Sequence, residues 1–82
     1  MIKVKFFGMI NVKNNISQLE MNEGTVKEVI KQIIEKNPEI KAKELKEAVI
    51  FVNKKNITGN KRFSLKLKDK DEISFLTPSG GG

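Results

Sequence analysis

The sequence of 82 residues contains no cysteine, no histidine and no tryptophan. Without cysteine the chain has no disulfide, no thiolate nucleophile, no persulfide relay and no zinc ribbon. Without histidine it has no catalytic triad and no imidazole base. A chain of this length allows one domain and leaves few residues for an enclosed active site. These absences argue against an enzyme with catalytic side chains of its own.

No apolar run approaches the roughly 20 residues of a membrane-spanning helix, and the first residues lack the apolar segment of a signal peptide. We therefore expect a soluble cytoplasmic protein with no membrane partner. The chain is basic, with 16 Lys and Arg against 10 Asp and Glu. Its single arginine is Arg62, whereas nucleic-acid-binding proteins favour several arginines that bind bases bidentately and clustered aromatic residues. We therefore favour a solvated surface, matched to an acidic protein partner, over a nucleic-acid footprint.

Alternating apolar and polar residues over 2–7 predict a first strand. Its core-facing residues are Ile2, Val4 and Phe6. The one aromatic residue on its polar face is Phe7. Gly8 and the asparagine-rich stretch 11–15 predict a turn. Residues 16–21 then predict a second strand, which the short separation places antiparallel to the first.

Residues 25–36 carry the clearest helix signal. Thr25 and Glu28 have the spacing of a capping box. An apolar stripe, typical of core rather than of a cofactor site, follows on one face. Its members are Val26, Val29, Ile30, Ile33 and Ile34. The helix should end before Pro38, because the residue preceding proline is pushed out of helical dihedral angles. Residues 39–47 predict a short second helix.

The second half of the chain predicts further strands. Residues 48–52 form a continuous apolar run rich in β-branched residues, which predicts a central strand buried on both faces. A turn at 53–56 leads to a short edge strand at Ile57. Residues 64–68 carry leucines at strand spacing. Residues 72–77 form the last strand. One apolar helix face over one apolar sheet face predicts a two-layer α+β domain, with a mixed sheet packed on one main helix.

Two apolar residues are predicted on the outer face of the sheet. Ile73 and Phe75 face the core in the last strand, so Leu76 points outward, as Phe7 does in the first strand. Exposed apolar patches mark partner sites. Phe7 and Leu76 are therefore candidate partner-binding residues, and the alternative is that one of them lies under a loop.

Half of the six glycines occupy the last three positions, Gly80, Gly81 and Gly82. Pro78 gives a stiff, extended exit from the last strand. We expect residues 1–77 to form the domain and 78–82 to form a flexible glycine tail. Such an arm fits a narrow channel of a partner and presents the Gly82 carboxylate there. Adenylation would activate this carboxylate toward a sulfur or amine nucleophile; the alternative is a frayed end.

The sequence resembles the MoaD/ThiS family of ubiquitin-like sulfur carriers over nearly its whole length. The most specific match is residues 67–82, where an acidic turn, an apolar strand and Pro78 precede the final diglycine. The opening residues 2–8, the helix start 24–26 and the run 49–53 add weaker matches. The opening Phe-Phe pair and the proline near the end are closer to MoaD than to ThiS.

Two features depart from the family pattern. The family turn reads Asp-Gly-Asp, whereas Lys70 replaces the glycine here, which predicts a turn type that tolerates a side chain. Gly80 is an additional glycine before the family diglycine. The acidic residues Asp69, Asp71 and Glu72 are interpreted as a solvated turn rather than a cation site, because no further oxygen ligands lie within sequence reach.

The resemblance implies a β-grasp fold and no bound cofactor. It implies that a ubiquitin-activating-type adenylyltransferase uses ATP to adenylate the Gly82 carboxylate, and that sulfur transfer then gives a thiocarboxylate. Pro78 and the tail would enter the large subunit of molybdopterin synthase, which uses the sulfur for the dithiolene of molybdopterin. The alternatives are a thiamine-pathway sulfur carrier, a ubiquitin-like modifier joined to target-protein lysines through the same glycine, and a small basic RNA-binding module.

Overall fold

The computed structural model describes residues 1–77. It contains seven strands: β1 Ile2–Gly8, β2 Gln18–Met21, β3 Gly24–Thr25, β4 Val49–Val52, β5 Lys55–Ile57, β6 Lys66–Leu67 and β7 Glu72–Thr77. It contains three α-helices, α1 Met9–Asn14, α2 Val26–Lys36 and α3 Ala42–Glu47, and a 3₁₀ helix, Asn60–Ser64.

Five of the strands form one mixed sheet in the order β2-β1-β7-β4-β5. The first and last strands, β1 and β7, are parallel neighbours, and the other pairs are antiparallel. The predicted hairpin of β1 with β2 is confirmed. Strands β3 and β6 pair separately as a second, two-stranded sheet. The arrangement places the first and last strands side by side at the middle of the main sheet, with Gly8 next to Thr77.

Helix α2 packs on the inner face of the main sheet, which confirms the predicted two-layer α+β architecture. Its first turn has the predicted capping box, in which the Thr25 hydroxyl accepts from the Glu28 amide and the Glu28 carboxylate accepts from the Thr25 amide. Four of the five stripe residues are buried, whereas Ile34 is only partly buried. The predicted core residues of the first and last strands are buried, namely Ile2, Val4, Phe6, Ile73 and Phe75.

One prediction about local structure was wrong and another is confirmed only in part. The stretch after Gly8 is helix α1 rather than a turn, because a helix buries Ile10 against the core and lets Asn15 end it in the left-handed conformation. The strand spacing of 64–68 is confirmed only in part. Lys66–Leu67 forms strand β6, which pairs with β3, so Leu67 is buried, whereas Leu65 follows the 3₁₀ helix and is exposed.

The prediction that residues 48–52 form a central strand buried on both faces was also wrong. The central strand is β7, and β4 lies one position from the edge of the sheet. Ile50 and Val52 are buried against the helices. Val49 and Phe51 lie on the outer face, where no further layer of the described residues covers them, so Val49 is exposed and Phe51 is half-buried.

The acidic turn before β7 keeps the backbone conformation that favours glycine. Lys70 has a φ of +74°, whereas the sequence predicted a turn that tolerates a side chain. Backbone hydrogen bonds explain this conformation. The Lys70 amide donates to the Met1 carbonyl at 3.0 Å, and the Asp71 amide donates to the Lys68 carbonyl at 2.9 Å. Two hydrogen bonds therefore hold a lysine where left-handed geometry is required.

Candidate functional site

Phe7 and Leu76 lie side by side on the outer face of the sheet. They are paired in the parallel register of β1 with β7. Phe7 is 48% exposed and Leu76 is 37% exposed, which confirms the predicted outward direction of both side chains. Neighbouring strands are separated by about 4.8 Å, so the two residues form a continuous apolar surface.

Strand β4 extends this surface with two residues that sequence reasoning assigned to the core. Val49 pairs with Leu76 in the antiparallel register and is 40% exposed. Phe51 pairs with Ser74 on the same face. Phe7, Val49, Phe51 and Leu76 are called the outer-sheet patch below. The outward direction of Val49 and Phe51 could have been predicted from the alternation of side chains along a strand, since these residues alternate with the buried Ile50 and Val52.

Charged residues surround the outer-sheet patch. A depression of about 550 Å³ at the patch is lined by Lys5, Phe7, Phe51, Lys54, Glu72, Ser74 and Leu76. Lys5 and Glu72 are 3.5 Å apart and form a salt bridge across β1 and β7. Lys54 carries a further positive charge at the same depression. An apolar centre with a polar, mostly basic rim is the anatomy of a protein-binding surface.

The end of β7 is fixed to helix α1 by Thr77. Its buried hydroxyl accepts a hydrogen bond from the Ile10 amide at 2.8 Å. This bond satisfies one of the amides that a helix start leaves without a partner. Gly8 pairs with Thr77 and has a φ of +83°. The last described residue of the chain is therefore held at a defined place beside the outer-sheet patch.

The start of β7 is fixed by hydrogen bonds around Asp71 and Asn53. The Asp71 carboxylate accepts from the Lys68 amide at 2.7 Å and from the Asn53 side-chain amide at 3.1 Å. These bonds, the one from Lys68 first, lower the pKa of Asp71 below its ordinary value of 3.8. The backbone amide of Asn53 also donates to the Glu72 carbonyl, and the side-chain oxygen of Asn53 accepts from the Glu72 amide. The central strand is thus anchored at both ends.

The acidic residues of the turn are engaged in structural contacts. Asp71 holds the turn, Glu72 pairs with Lys5, and Asp69 contacts the amino group of Met1. Within residues 1–77, no group of three or more acidic, histidine or cysteine side chains is placed to hold a metal ion. Over the same residues, no helix is long and apolar enough to cross a membrane.

Four of the predicted site residues, Pro78, Gly80, Gly81 and Gly82, lie outside the described residues. The expected flexibility of residues 78–82 therefore stays a prediction. The structure does bring the other two, Phe7 and Leu76, together beside the residue that precedes this segment. Their role in binding a partner remains a prediction as well.

The sheet order, the helix packed across it and the comparisons with solved structures define a ubiquitin-like β-grasp protein. The sequence profile of the ThiS family matches residues 4–82. This match spans nearly the whole sequence, and the chain therefore belongs to the ThiS family, a family of small ubiquitin-like carrier and modifier proteins. Among curated protein sequences, none matches this chain closely enough to count as a relative.

Three solved structures illustrate the similarity. Small archaeal modifier protein 1 from Methanosarcina acetivorans is 26% identical with a TM-score of 0.79, over 99% of this chain and 95% of that one. A chain from the complex of subunits 1 and 2 of molybdopterin-converting factor from Helicobacter pylori is 27% identical with a TM-score of 0.68, over 99% and 97%. A chain from the BexX/CysO complex of Amycolatopsis orientalis is 19% identical with a TM-score of 0.71 over the full length of both chains, and it supports the fold alone.

Proposed function

We propose that this chain is a sulfur carrier for molybdopterin biosynthesis and acts as the small subunit of molybdopterin synthase. Its Gly82 carboxylate is adenylated and then converted to a thiocarboxylate. One observation carries the proposal: the exposed pair Phe7 and Leu76 lies beside Thr77, directly before the segment that ends in the glycines. A partner that covers this pair receives the end of the chain in its own active site.

The proposed chemistry balances without any side chain of this protein. A carboxylate oxygen of Gly82 attacks the α-phosphate of ATP, forms the acyl–phosphate bond and displaces pyrophosphate. A sulfide nucleophile then attacks the carbonyl carbon, and AMP leaves with the electrons of the carbon–oxygen bond. The product is a thiocarboxylate, and no oxidant or reductant is consumed. The activating enzyme supplies the ATP site, so the carrier itself requires no bound cofactor.

The amino-acid composition supports a role in which this protein provides the activated acyl group and its partners provide the catalytic residues. The chain has no cysteine or histidine to serve as a nucleophile or base. Its acidic turn residues are engaged in fixing the central strand. In this proposal the chain contributes the outer-sheet patch as a docking surface and Gly82 as the reacting group. An activating adenylyltransferase and a large synthase subunit are the two partners.

The similarity to the Helicobacter pylori complex favours the molybdopterin assignment, because that structure holds two subunits of molybdopterin-converting factor. The similarity to the modifier protein of Methanosarcina acetivorans favours a second candidate, a protein modifier. In that case a lysine amine of a target protein displaces AMP and forms an amide with Gly82. Both candidates share the adenylation step and differ in the nucleophile.

Intact mass spectrometry of the protein isolated from its own cells separates these candidates. A sulfur carrier shows a species in which one oxygen of the carboxylate is replaced by sulfur. A modifier shows branched conjugates in which the carbonyl of Gly82 is joined to a lysine. Deletion of the gene for the large synthase subunit should increase the thiocarboxylate species if that subunit consumes it. An unmodified end under all conditions, with no conjugates, would contradict both candidates.

A further inference from the structure

A second apolar surface lies in the helix layer. It is a groove of about 850 Å³ between α2, α3, the 3₁₀ helix and β6. Its apolar floor consists of Ile30, Ile34, Ala42 and Phe63. The groove shares no lining residue with the depression at the outer-sheet patch, which lies on the opposite face of the sheet. We call it the helix-layer groove.

Four lysines line the helix-layer groove together with the apolar floor. Lys27 and Lys31 are one turn apart on α2, Lys46 comes from α3 and Lys66 comes from β6. None of these four lysines takes part in a salt bridge among residues 1–77. Among the described residues, therefore, none of these four positive charges is paired with a carboxylate at salt-bridge distance.

Two acidic residues, Glu28 and Glu35, line the groove with these four lysines, so the lining keeps a net charge of +2. The Glu28 carboxylate is held by the capping box, where it accepts from the Thr25 amide at 2.8 Å. That hydrogen bond is the main reason why the pKa of Glu28 lies below its ordinary value, and the positive charge of Lys66 lowers it further. Glu35 is the one other acidic lining residue. The surface that a ligand meets is thus apolar in the middle and predominantly cationic at the rim.

The far wall of the groove is held in place by Arg62. Its guanidinium donates to the Lys46 carbonyl at 3.0 Å and to the Gly59 carbonyl at 2.6 Å, which ties the 3₁₀ helix to the end of α3. The same group lies 4.3 Å from the centre of the Phe63 ring. The ring is therefore fixed in the floor by a cation–π contact. Binding to a groove whose walls are already fixed loses less conformational entropy than binding to one that becomes ordered only in the complex.

We propose that the helix-layer groove binds an acidic, amphipathic segment of a partner protein. Apolar side chains of that segment contact Ile34 and Phe63, and its carboxylates lie against Lys27, Lys31, Lys46 and Lys66. This surface is independent of the proposed sulfur chemistry, because it lies on the other layer of the domain. A protein bound there leaves the outer-sheet patch and Gly82 free for a second protein.

Charge and shape favour this occupant over the two others considered. A second copy of the chain is itself basic, with a net charge of +6, and would meet repulsion at the lysine rim. Nucleic-acid sites that read bases or bind single strands favour stacking aromatic residues and free arginines. The groove offers one aromatic residue, Phe63, and Arg62 is already engaged with carbonyl groups and with that ring.

The test is an NMR titration of the whole isotope-labelled protein with a short synthetic peptide. The peptide carries one Phe and one Leu flanked by Glu and Asp. We expect saturable shifts at the amides of α2, α3 and the 3₁₀ helix, and none at Phe7 or Leu76. A peptide with Lys in place of its acidic residues, a peptide with Ala in place of Phe and Leu, and a single-stranded RNA should each bind much more weakly.

A pair of charge-reversal variants sharpens the test. Lys27→Glu with Lys31→Glu should weaken binding of the acidic peptide by about tenfold or more, since favourable contacts at two exposed positions become repulsive. Lys3→Glu with Lys55→Glu changes the net charge equally at exposed positions outside the groove and should have much less effect. The proposal is overturned if no saturable binding occurs, if the shifts map to the outer-sheet patch, if RNA or the basic peptide binds equally well, or if both variants weaken binding alike.

Discussion

Gly8 and Thr77 approach so closely that a side chain at position 8 would overlap the backbone oxygen of Thr77. Gly8 also has a φ of +83°, in the left-handed region that favours glycine. The two residues end the parallel pair β1 and β7, and the Thr77 hydroxyl accepts a hydrogen bond from the amide of Ile10, the second residue of α1. This contact sets where the chain leaves the sheet.

We predict that Gly8→Ala lowers the free energy of unfolding by about 2–4 kcal/mol, because the strained φ and the overlap with Thr77 act together. Gly59→Ala is the matched control. Gly59 has a similar φ of +85°, but a side chain there would meet open space. The control should lose only about 1–2 kcal/mol. Urea denaturation measures both, and equal losses would mean that the contact with Thr77 is unimportant.

The second prediction concerns the outer-sheet patch. Phe7→Ala or Leu76→Ala should weaken binding to the large synthase subunit by about 1 kcal/mol or more, because central apolar anchors dominate interfaces. Each variant should lose little stability, since exposed cross-strand pairs contribute roughly 0.2–1 kcal/mol. Isothermal titration calorimetry measures the affinity and thermal denaturation the stability.

Val12→Ala controls for the loss of any exposed apolar side chain. Val12 is 71% exposed on α1 and does not belong to the patch. This variant should bind like the unchanged protein. If both patch variants bind normally and melt at lower temperature, Phe7 and Leu76 serve the fold rather than a partner.

The third prediction concerns Lys70. Lys70→Gly should raise the free energy of unfolding by about 0.5–1 kcal/mol, because glycine relieves the left-handed strain but increases the entropy of the unfolded chain. Lys43→Gly, within helix α3, should instead lower stability by about 1 kcal/mol. A destabilised Lys70→Gly protein would show that the lysine side chain makes a contribution larger than its backbone strain.

The fourth prediction concerns the pH dependence of stability. The folded-state pKa of Asp71 is lowered, so its ionised form stabilises the fold above its ordinary pKa of 3.8. This contribution is lost as the pH falls below that value through the folded pKa. The stability difference between the unchanged protein and Asp71→Asn should therefore shrink in acid. A difference that stays constant from neutral to acidic pH would contradict the role of the Asp71 charge.

Periodicity was sufficient to predict the elements that bury one face. Residues 2–7 and 72–77 alternate with a period of two, and residues 25–36 follow a helical period, so the core residues of all three followed from spacing. The outward direction of Phe7 and Leu76 came from the same argument. The capping box at Thr25 was predictable because it depends on two residues three positions apart.

Features that depend on neighbouring elements could not be predicted in this way. An apolar run such as 48–52 is typical of a strand buried on both faces, but a strand with one face exposed as a binding surface has the same sequence pattern. Only the two-layer packing leaves Val49 and Phe51 on the outer face. The helix-layer groove is also non-local, since Ile34 and Phe63 meet from separate parts of the chain. The conformation of Lys70 was mispredicted because it depends on a hydrogen bond to Met1, which lies far from the turn in sequence.

The most direct test of the central claim is ATP–pyrophosphate exchange with the activating enzyme of the same organism. Three proteins are compared: the unchanged chain, the chain without Gly82 and a chain extended by one residue after Gly82. Deletion withdraws the carboxylate by up to about 3.5 Å, and a misplacement of about 1 Å already costs roughly 10²-fold in rate. Extension converts the Gly82 carboxylate into an amide. We predict exchange with the unchanged chain alone, with all three proteins equally folded. Equal exchange by all three, with the extension shown intact by mass spectrometry, would contradict the claim that the Gly82 carboxylate is the reacting group.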